Sequence, residues 1–272
     1  MSELIFENYG YCHCCDKAVR FTADDSWFRD HYICTECGSI PRERALAWVV
    51  DKFFPDWRQA TIHESSPIER GISEKLRQHC QNYIASQYFP GIESGVEYQG
   101  WHCENLEALS FADNSIDLHI SQDVMEHIFS PDQAFLEISR TLRPGGMHIF
   151  TVPLVNKSEP TEICAELGEY GVVRHLLEPE YHGNPASEQG ALVTRRWGYD
   201  ICDYIFKYSG LFTQIVHIDA LELGIRAEYI EVLVTMKPKI GKVDSMLLES
   251  DRAKQFKNIF PNPFTRLKNR AN

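Results

Sequence analysis

Five of the nine cysteines fall within the first 37 residues, and four of them form two C-x2-C pairs, Cys12/Cys15 and Cys34/Cys37, with eighteen residues between the pairs. Two such pairs can deliver four thiolates to one tetrahedral ion, zinc by preference, and Gly38 after the second pair lets the chain turn so that backbone amides face the sulfurs. Cys14, His13 and His31 compete as ligands, but none of them keeps both knuckles. Four thiolates leave no open coordination position, so the metal is expected to be structural and to hold a lobe too small to fold alone. A second concentration of chemistry lies between residues 154 and 200, where Arg174, His175, Tyr181, His182, Asn184, Arg195 and Arg196 accumulate. In EYHGNP, Gly183 and Pro185 fix a turn presenting His182 beside Asn184, which makes His182 a candidate base; a turn held by side-chain caps is the plainer use of the same residues.

The elements that must position these groups read as an α/β scaffold. IDLHIS, residues 116–121, has the β-branched, apolar character of a buried strand and follows the turn signal Asp113-Asn114-Ser115. In PDQAFLEISRTL, Ala134, Phe135, Ile138 and Leu142 fall at helical spacing behind Pro131, which suits a first helical turn. Pro144-Gly145-Gly146 is expected to stop that helix and turn the chain into MHIFTVP, a second strand. Together these form one βαβ unit.

The ordered combination of DVMEH (residues 123–127) and LRPGG (142–146) within residues 109–153 resembles the class I S-adenosylmethionine-dependent methyltransferases, in particular the ubiquinone- and menaquinone-biosynthesis-like group. The resemblance extends more weakly over residues 59–237. It implies a doubly wound, mostly parallel, seven-stranded sheet behind a small zinc-binding lobe: the lobe at 1–45, the methyltransferase domain at 46–238 with an acceptor-pocket or lid insertion at 154–200, and a basic tail at 239–272.

The same resemblance assigns cofactor-binding positions. The first strand, near residues 59–64, ends at Glu64, where the family has an acidic residue followed by a glycine-rich turn. Here Ser65, Ser66 and Pro67 replace glycines and Gly71 stands for the last one. Physically this stretch still reads as a helix start, with Ser66 as cap, Pro67 in the first turn and Glu69 completing a capping box. The second strand, 82–89, offers Ser86 and Gln87 where relatives place a ribose-binding acid. Asn105, with Leu106 beside it, aligns with the residue that contacts adenine, although an Asn satisfying its own turn is the plainer reading. Gln122 and Asp123 lie where the methionine end is bound, and His127 matches a histidine that in some relatives is near the acceptor, which makes it a candidate general base as well as a candidate for a structural hydrogen bond. The expected cofactors are S-adenosylmethionine and structural zinc, and the expected reaction is methyl transfer to a small polar acceptor such as a sugar or natural-product precursor. A non-catalytic binding module with a degenerate cofactor loop and a zinc-ribbon RNA methyltransferase are the alternatives.

Charge bears on the acceptor. Of the 27 Lys/Arg and 39 Asp/Glu residues, nine basic and three acidic ones lie in 237–272, so the preceding body carries a net −18. An acidic body repels a phosphate backbone and disfavours nucleic acid as a partner. The absence of a long apolar run or a basic-then-apolar start points to a protein of the cytoplasm, with no membrane contact, whose cysteines are free or metal-bound. The zinc lobe or the tail could meet a protein partner.

Overall fold

The computed structural model describes residues 3–184 and 187–239. The basic tail expected at 239–272 therefore lies, apart from Lys239, outside the described residues.

The N-terminal lobe is a three-stranded antiparallel sheet of β1 (Phe6–Cys12), β2 (Lys17–Ala23) and β3 (Ile33–Cys34), with a single helical turn, α1 (Phe28–His31), between the last two. Alternate residues of β2, Val19, Phe21 and Ala23, are buried, as period-two patterning requires. From Pro41 the chain forms α2 (Pro41–Phe53), with proline in its first turn and the Glu43 carboxylate accepting from the Ile40 amide at 3.2 Å. Arg44 of α2 is fully buried. Its guanidinium donates to the carbonyls of Gly224 (2.8 Å), Tyr32 (2.7 Å) and Ser39 and lies over the Phe21 ring.

Lys75 makes a second seam. Its ammonium, 3% exposed, donates to the His13 carbonyl (2.7 Å), Asp16 (3.0 Å) and Asp51 (2.9 Å). The lobe thus shares both polar and apolar contacts with the main sheet and its helices: Val19, Phe21, Leu46 and Val49 belong to the same core as Ile62, Leu118, Ile149 and Val232.

The main sheet is built from β4 (Thr61–Ser65), β5 (Asn82–Gln87), β6 (Glu97–Tyr98), β7 (Trp101–Cys103), β8 (Ile116–Gln122) and β9 (Leu142–Thr151), joined by the helices α3 (Gly71–His79) and α4 (Pro131–Thr141). Between β9 and the last helix, α5 (Ile201–Ser209), the insertion folds into three small antiparallel pairs: β10 (Glu162–Ile163) with β15 (Arg195–Arg196), β11 (Ala165–Leu167) with β12 (Val173–His175), and β13 (Tyr181–Asn184) with β14 (Ser187–Leu192). The chain closes with β16 (Phe212–Val216) and β17 (Val232–Met236). The eight strands run in the order β16-β17-β9-β8-β4-β5-β7-β6; β9, β8, β4, β5 and β7 are parallel, and β6 and β17 pair antiparallel with their neighbours. This is the expected doubly wound sheet with one short edge strand added. Phe135, Ile138, Trp197, Ile201 and Ile205 form a second core with Phe150 and Leu233.

Two local expectations are corrected. The helix after β4 begins at Gly71, not at Pro67: Ser66 adopts φ 54° with its amide on the Ser86 carbonyl, so it cannot cap, and no capping box forms at Glu69. Helix α4 ends at Thr141, three residues before the proline, and the Leu142–Thr151 strand already includes the Pro-Gly-Gly stretch. The last two strands, β16 and β17, pair antiparallel with each other. The connection between them carries a helical turn at Leu221–Leu223 that packs on the lobe, where the Leu221 carbonyl accepts from Asn8 (2.8 Å) and Gly224 (φ 65°) leaves no room for a Cβ against the Phe21 ring.

A row of histidines runs through the middle of the sheet. His63, His119 and His148 are register partners on β4, β8 and β9 and are all buried. The His63 and His119 Nδ1 atoms meet at 2.9 Å, His63 Nε2 meets Ser86 Oγ at 2.7 Å, and His119 Nε2 meets Thr141 Oγ1 at 2.8 Å. Burial disfavours their charged forms, holding His63 and His148 down at about 3 and His119 well below its usual value.

Candidate cofactor and acceptor site

The strand order reverses between β4 and β8, and in an open α/β sheet ligands sit beyond the carboxyl ends of the strands at such a point. Glu64, Ser65, Gln87, Gln122 and Asp123 all lie at those ends. Glu64 is buried and committed to the protein. One of its oxygens accepts from Ser73 Oγ (2.6 Å) and Gln122 Nε2 (3.0 Å), the other from the Tyr83 hydroxyl (2.7 Å). Burial pushes its pKa up, and these three donors oppose that rise. With its NH2 directed at a carboxylate, Gln122 is left with a buried Oε1 that has no partner among the described residues.

Asp123 stands at φ 51° and faces the lobe. Arg29 of α1 donates to it at 2.6 Å, Arg42 of α2 lies 3.1 Å away, and Thr151 Oγ1 donates at 2.9 Å. Burial alone would raise this carboxyl; Arg42, Arg29 and the hydrogen bonds outweigh it and hold the group at about 2. Arg42 Nε is itself buried without a partner among the described residues. Gln122 Oε1 and Arg42 Nε are thus an acceptor and a cationic donor left without partners among the described residues, one on the residue before Asp123 and one on the guanidinium that pairs with it. The sequence carries no signal for Arg29.

Other positions are placed as follows. Ser86 is buried with its hydroxyl turned to His63, so Gln87, half-buried at the end of β5, is the residue left facing outward. Asn105 Oδ1 accepts from the Glu107 amide at 2.9 Å, closing its own turn, while the Asn105 amide donates to Ser94 (3.0 Å); Leu106 is buried. Gly71 lies against Glu43 of α2, whose carboxylate oxygen would be 2.4 Å from an added Cβ. This glycine makes room for the protein's own helix.

The loop after β8 and the insertion bring His127 and His182 together, with ring centroids 5.2 Å apart. Glu126 lies between them, 3.7 Å from His127 Nε2 and 3.7 Å from His182 Nδ1. The Glu126 backbone is pinned because its carbonyl accepts from the Thr194 amide (2.8 Å) and Oγ1 (3.0 Å). The neighbouring Glu126 carboxylate raises the pKa of His182, against the effect of burial.

In the lobe, Cys12, Cys15, Cys34 and Cys37 converge, with Sγ separations of 3.7 Å for Cys12 and Cys37 and 4.0 Å for Cys15 and Cys34. Four sulfurs at about 2.3 Å from one tetrahedral zinc stand about 3.8 Å apart, so the set fits the ion. Burial and the neighbouring thiolates push Cys15 up to about 12 when no cation is present. Cys14, the sequence's competitor, is buried outside the group.

Comparison with known proteins bears on the same residues. Residues 72–150 match the family model described as a methyltransferase domain, beginning just past Gly71 and so excluding the divergent loop. Dimethylglycine N-methyltransferase of Parasynechococcus marenigrum (strain WH8102) is 38% identical over 88 residues, covering 32% of this chain and 28% of that protein. The matched part is thus less than a third of that relative's length. Among solved structures, an S-adenosylmethionine-dependent methyltransferase from Mesorhizobium loti is similar with a TM-score of 0.44 at 15% identity, covering 71% of this chain and 97% of that one. The 1,6-didemethyltoxoflavin-N1-methyltransferase of Burkholderia thailandensis gives a TM-score of 0.47 at 12% identity, covering 72% and 78%. Residues 72–150, which run from α3 into β9 of the doubly wound sheet, are thus similar to a methyltransferase domain.

Proposed function

We propose that the protein transfers a methyl group from S-adenosylmethionine to a small polar acceptor, of the sugar or natural-product-precursor class. The observation that carries this reading is the pair of unmet groups, Gln122 Oε1 and Arg42 Nε. Bound S-adenosylmethionine supplies a methyl already activated on a sulfonium, which leaves alignment as the main work of the chain, an effect able to contribute about 7–11 kcal/mol. Gln122 accepts from the amino group, and Arg42, oriented by Asp123, donates to the carboxylate. Glu64, Ser65, Ser66 and Gly71 shape the loop beneath, Gln87 reaches the ribose with Ser86 behind it, and Asn105 and Leu106 border the adenine. His127 and His182 stand on the acceptor side, joined by the insertion. The four cysteines hold structural zinc.

The net −18 of the body supports a small acceptor over nucleic acid. Among the described residues no helix is long and apolar enough to cross a membrane. All nine cysteines are free of disulfides, which supports a reducing compartment such as the cytoplasm. The outer faces of the lobe and the tail are left for a protein partner.

Calorimetric titration of the zinc-loaded protein with S-adenosylhomocysteine tests the reading. Saturable micromolar binding, weakened at least tenfold by Arg42→Met and by Gln122→Leu, is expected. No heat at several temperatures from a folded protein would replace it with a binding module whose cofactor loop no longer functions.

A further inference from the structure

We propose that Glu126, His127 and His182 form a second metal centre, a divalent-cation site on the acceptor side, separate from the four-cysteine zinc. The strongest observation is Glu126. Its side chain is 3% exposed, and neither carboxylate oxygen has a hydrogen-bond partner among the described residues. A buried carboxylate without donors is a costly arrangement that a cation relieves.

The two imidazoles are oriented to supply lone pairs to the same point. His127 Nδ1 lies 2.9 Å from the Leu192 carbonyl, which can only accept, so the proton resides on Nδ1 and Nε2 presents its lone pair toward Glu126. His182 Nε2 lies 3.4 Å from Glu180, which is held by Arg196 at 3.0 Å, leaving His182 Nδ1 directed at the same carboxylate. A carbonyl or carboxylate behind each ligating ring is the usual outer-shell support of a metal-bound histidine.

The three ligand atoms lie within 4.8 Å of one another. Around an ion at about 2.1 Å they would stand roughly 3.0–3.5 Å apart, so the observed 3.7 Å separations close with shifts of a few tenths of an ångström.

Two imidazoles and one carboxylate select borderline first-row ions, Mn2+, Fe2+, Co2+ or Zn2+, over Ca2+ or Mg2+, and three protein ligands leave coordination positions open. His182 is supplied by the insertion, and with positions open the centre suits an acceptor able to chelate through two neighbouring oxygens. On this assignment His127 and His182 hold the ion rather than take the acceptor's proton, and the ion makes a bound hydroxyl more acidic. The cation site stands on its own geometry; its role in binding the acceptor rests on the methyl-transfer reading.

The test is Mn2+ titration of the full chain carrying its zinc, followed by loss of the free-ion electron paramagnetic resonance signal, with zinc counted in parallel by mass spectrometry. Mn2+ avoids thiolates and leaves the cysteine site undisturbed. One Mn2+ per chain is expected, with affinity reduced at least tenfold by Glu126→Gln and by His182→Ala, and one zinc retained throughout. His182 lies on a small hairpin, so its variant serves if Glu126→Gln fails to fold. Absence of Mn2+ binding to the wild-type protein up to millimolar concentration, or binding that survives both substitutions, overturns the proposal. S-adenosylhomocysteine titration of the same samples separates the two readings: cofactor binding without Mn2+ binding removes only the metal centre, and the reverse removes only the methyl donor.

Discussion

Arg29, from a single helical turn of the zinc lobe, donates to Asp123 at the carboxyl end of β8 over 2.6 Å, and both side chains are largely buried. The lobe therefore supplies one wall of the crevice in which the cofactor is proposed to bind.

Replacing Asp123 by Asn should leave two buried guanidinium groups facing a neutral amide. Removing one partner of a buried pair costs about 3 kcal/mol, and urea denaturation at neutral pH should register a loss of that size. A loss below about 0.5 kcal/mol would mean that the pair behaves like an exposed salt bridge.

Removal of zinc should unfold the lobe and weaken everything packed on it. Cys37→Ser, or a strong chelator, is expected to lower the melting temperature by about 10 °C or more, taking several kcal/mol at about 2–4 °C each. Cys14→Ser, outside the ligand group, should keep the full zinc content when metal is counted. Loss of the ion in that variant would move Cys14 into the site.

The histidine row sets an acid limit. Each ring is neutral in the folded protein down to about pH 3 for His63 and His148, and lower than usual for His119, whereas in the unfolded chain each binds a proton near pH 6.5. The unfolded state thus binds more protons below pH 6.5, and stability is full above that pH and is lost as pH falls toward 3. Three such groups give a slope of about 4 kcal/mol per pH unit once the unfolded chain is protonated. Urea midpoints measured between pH 7 and 5 should follow that fall, and His148→Phe should flatten it by about a third.

The parts legible in the sequence are those where one local rule decides the outcome. Doubled C-x2-C spacing picks Cys12, Cys15, Cys34 and Cys37 without help from the fold. An apolar, β-branched run locates β8, which is buried almost throughout, and helical spacing of the buried residues locates α4. Ser66 misleads because a capping preference is weaker than the bond that ties its amide to the Ser86 carbonyl on a neighbouring strand. Ser86 itself looks like a ligand residue, since nothing local reveals that His63, twenty-three positions earlier, takes its hydroxyl. Arg29 carries no signal at all in one dimension, and Glu126 enters only as a letter of DVMEH with no role attached. Their importance comes from burial and from partners 94 and 56 residues away, Asp123 and His182.

Lys75 bears on modularity. Three of its contacts come from outside α3, and two of those, His13 and Asp16, belong to the turn around the first cysteine pair. A chain shortened to start at residue 46 would strand that ammonium with Asp51 alone and strip Arg44 from the core altogether. The smallest autonomous unit therefore begins at the cysteine hairpin, and any shuffling of this domain onto another protein must carry the hairpin with it.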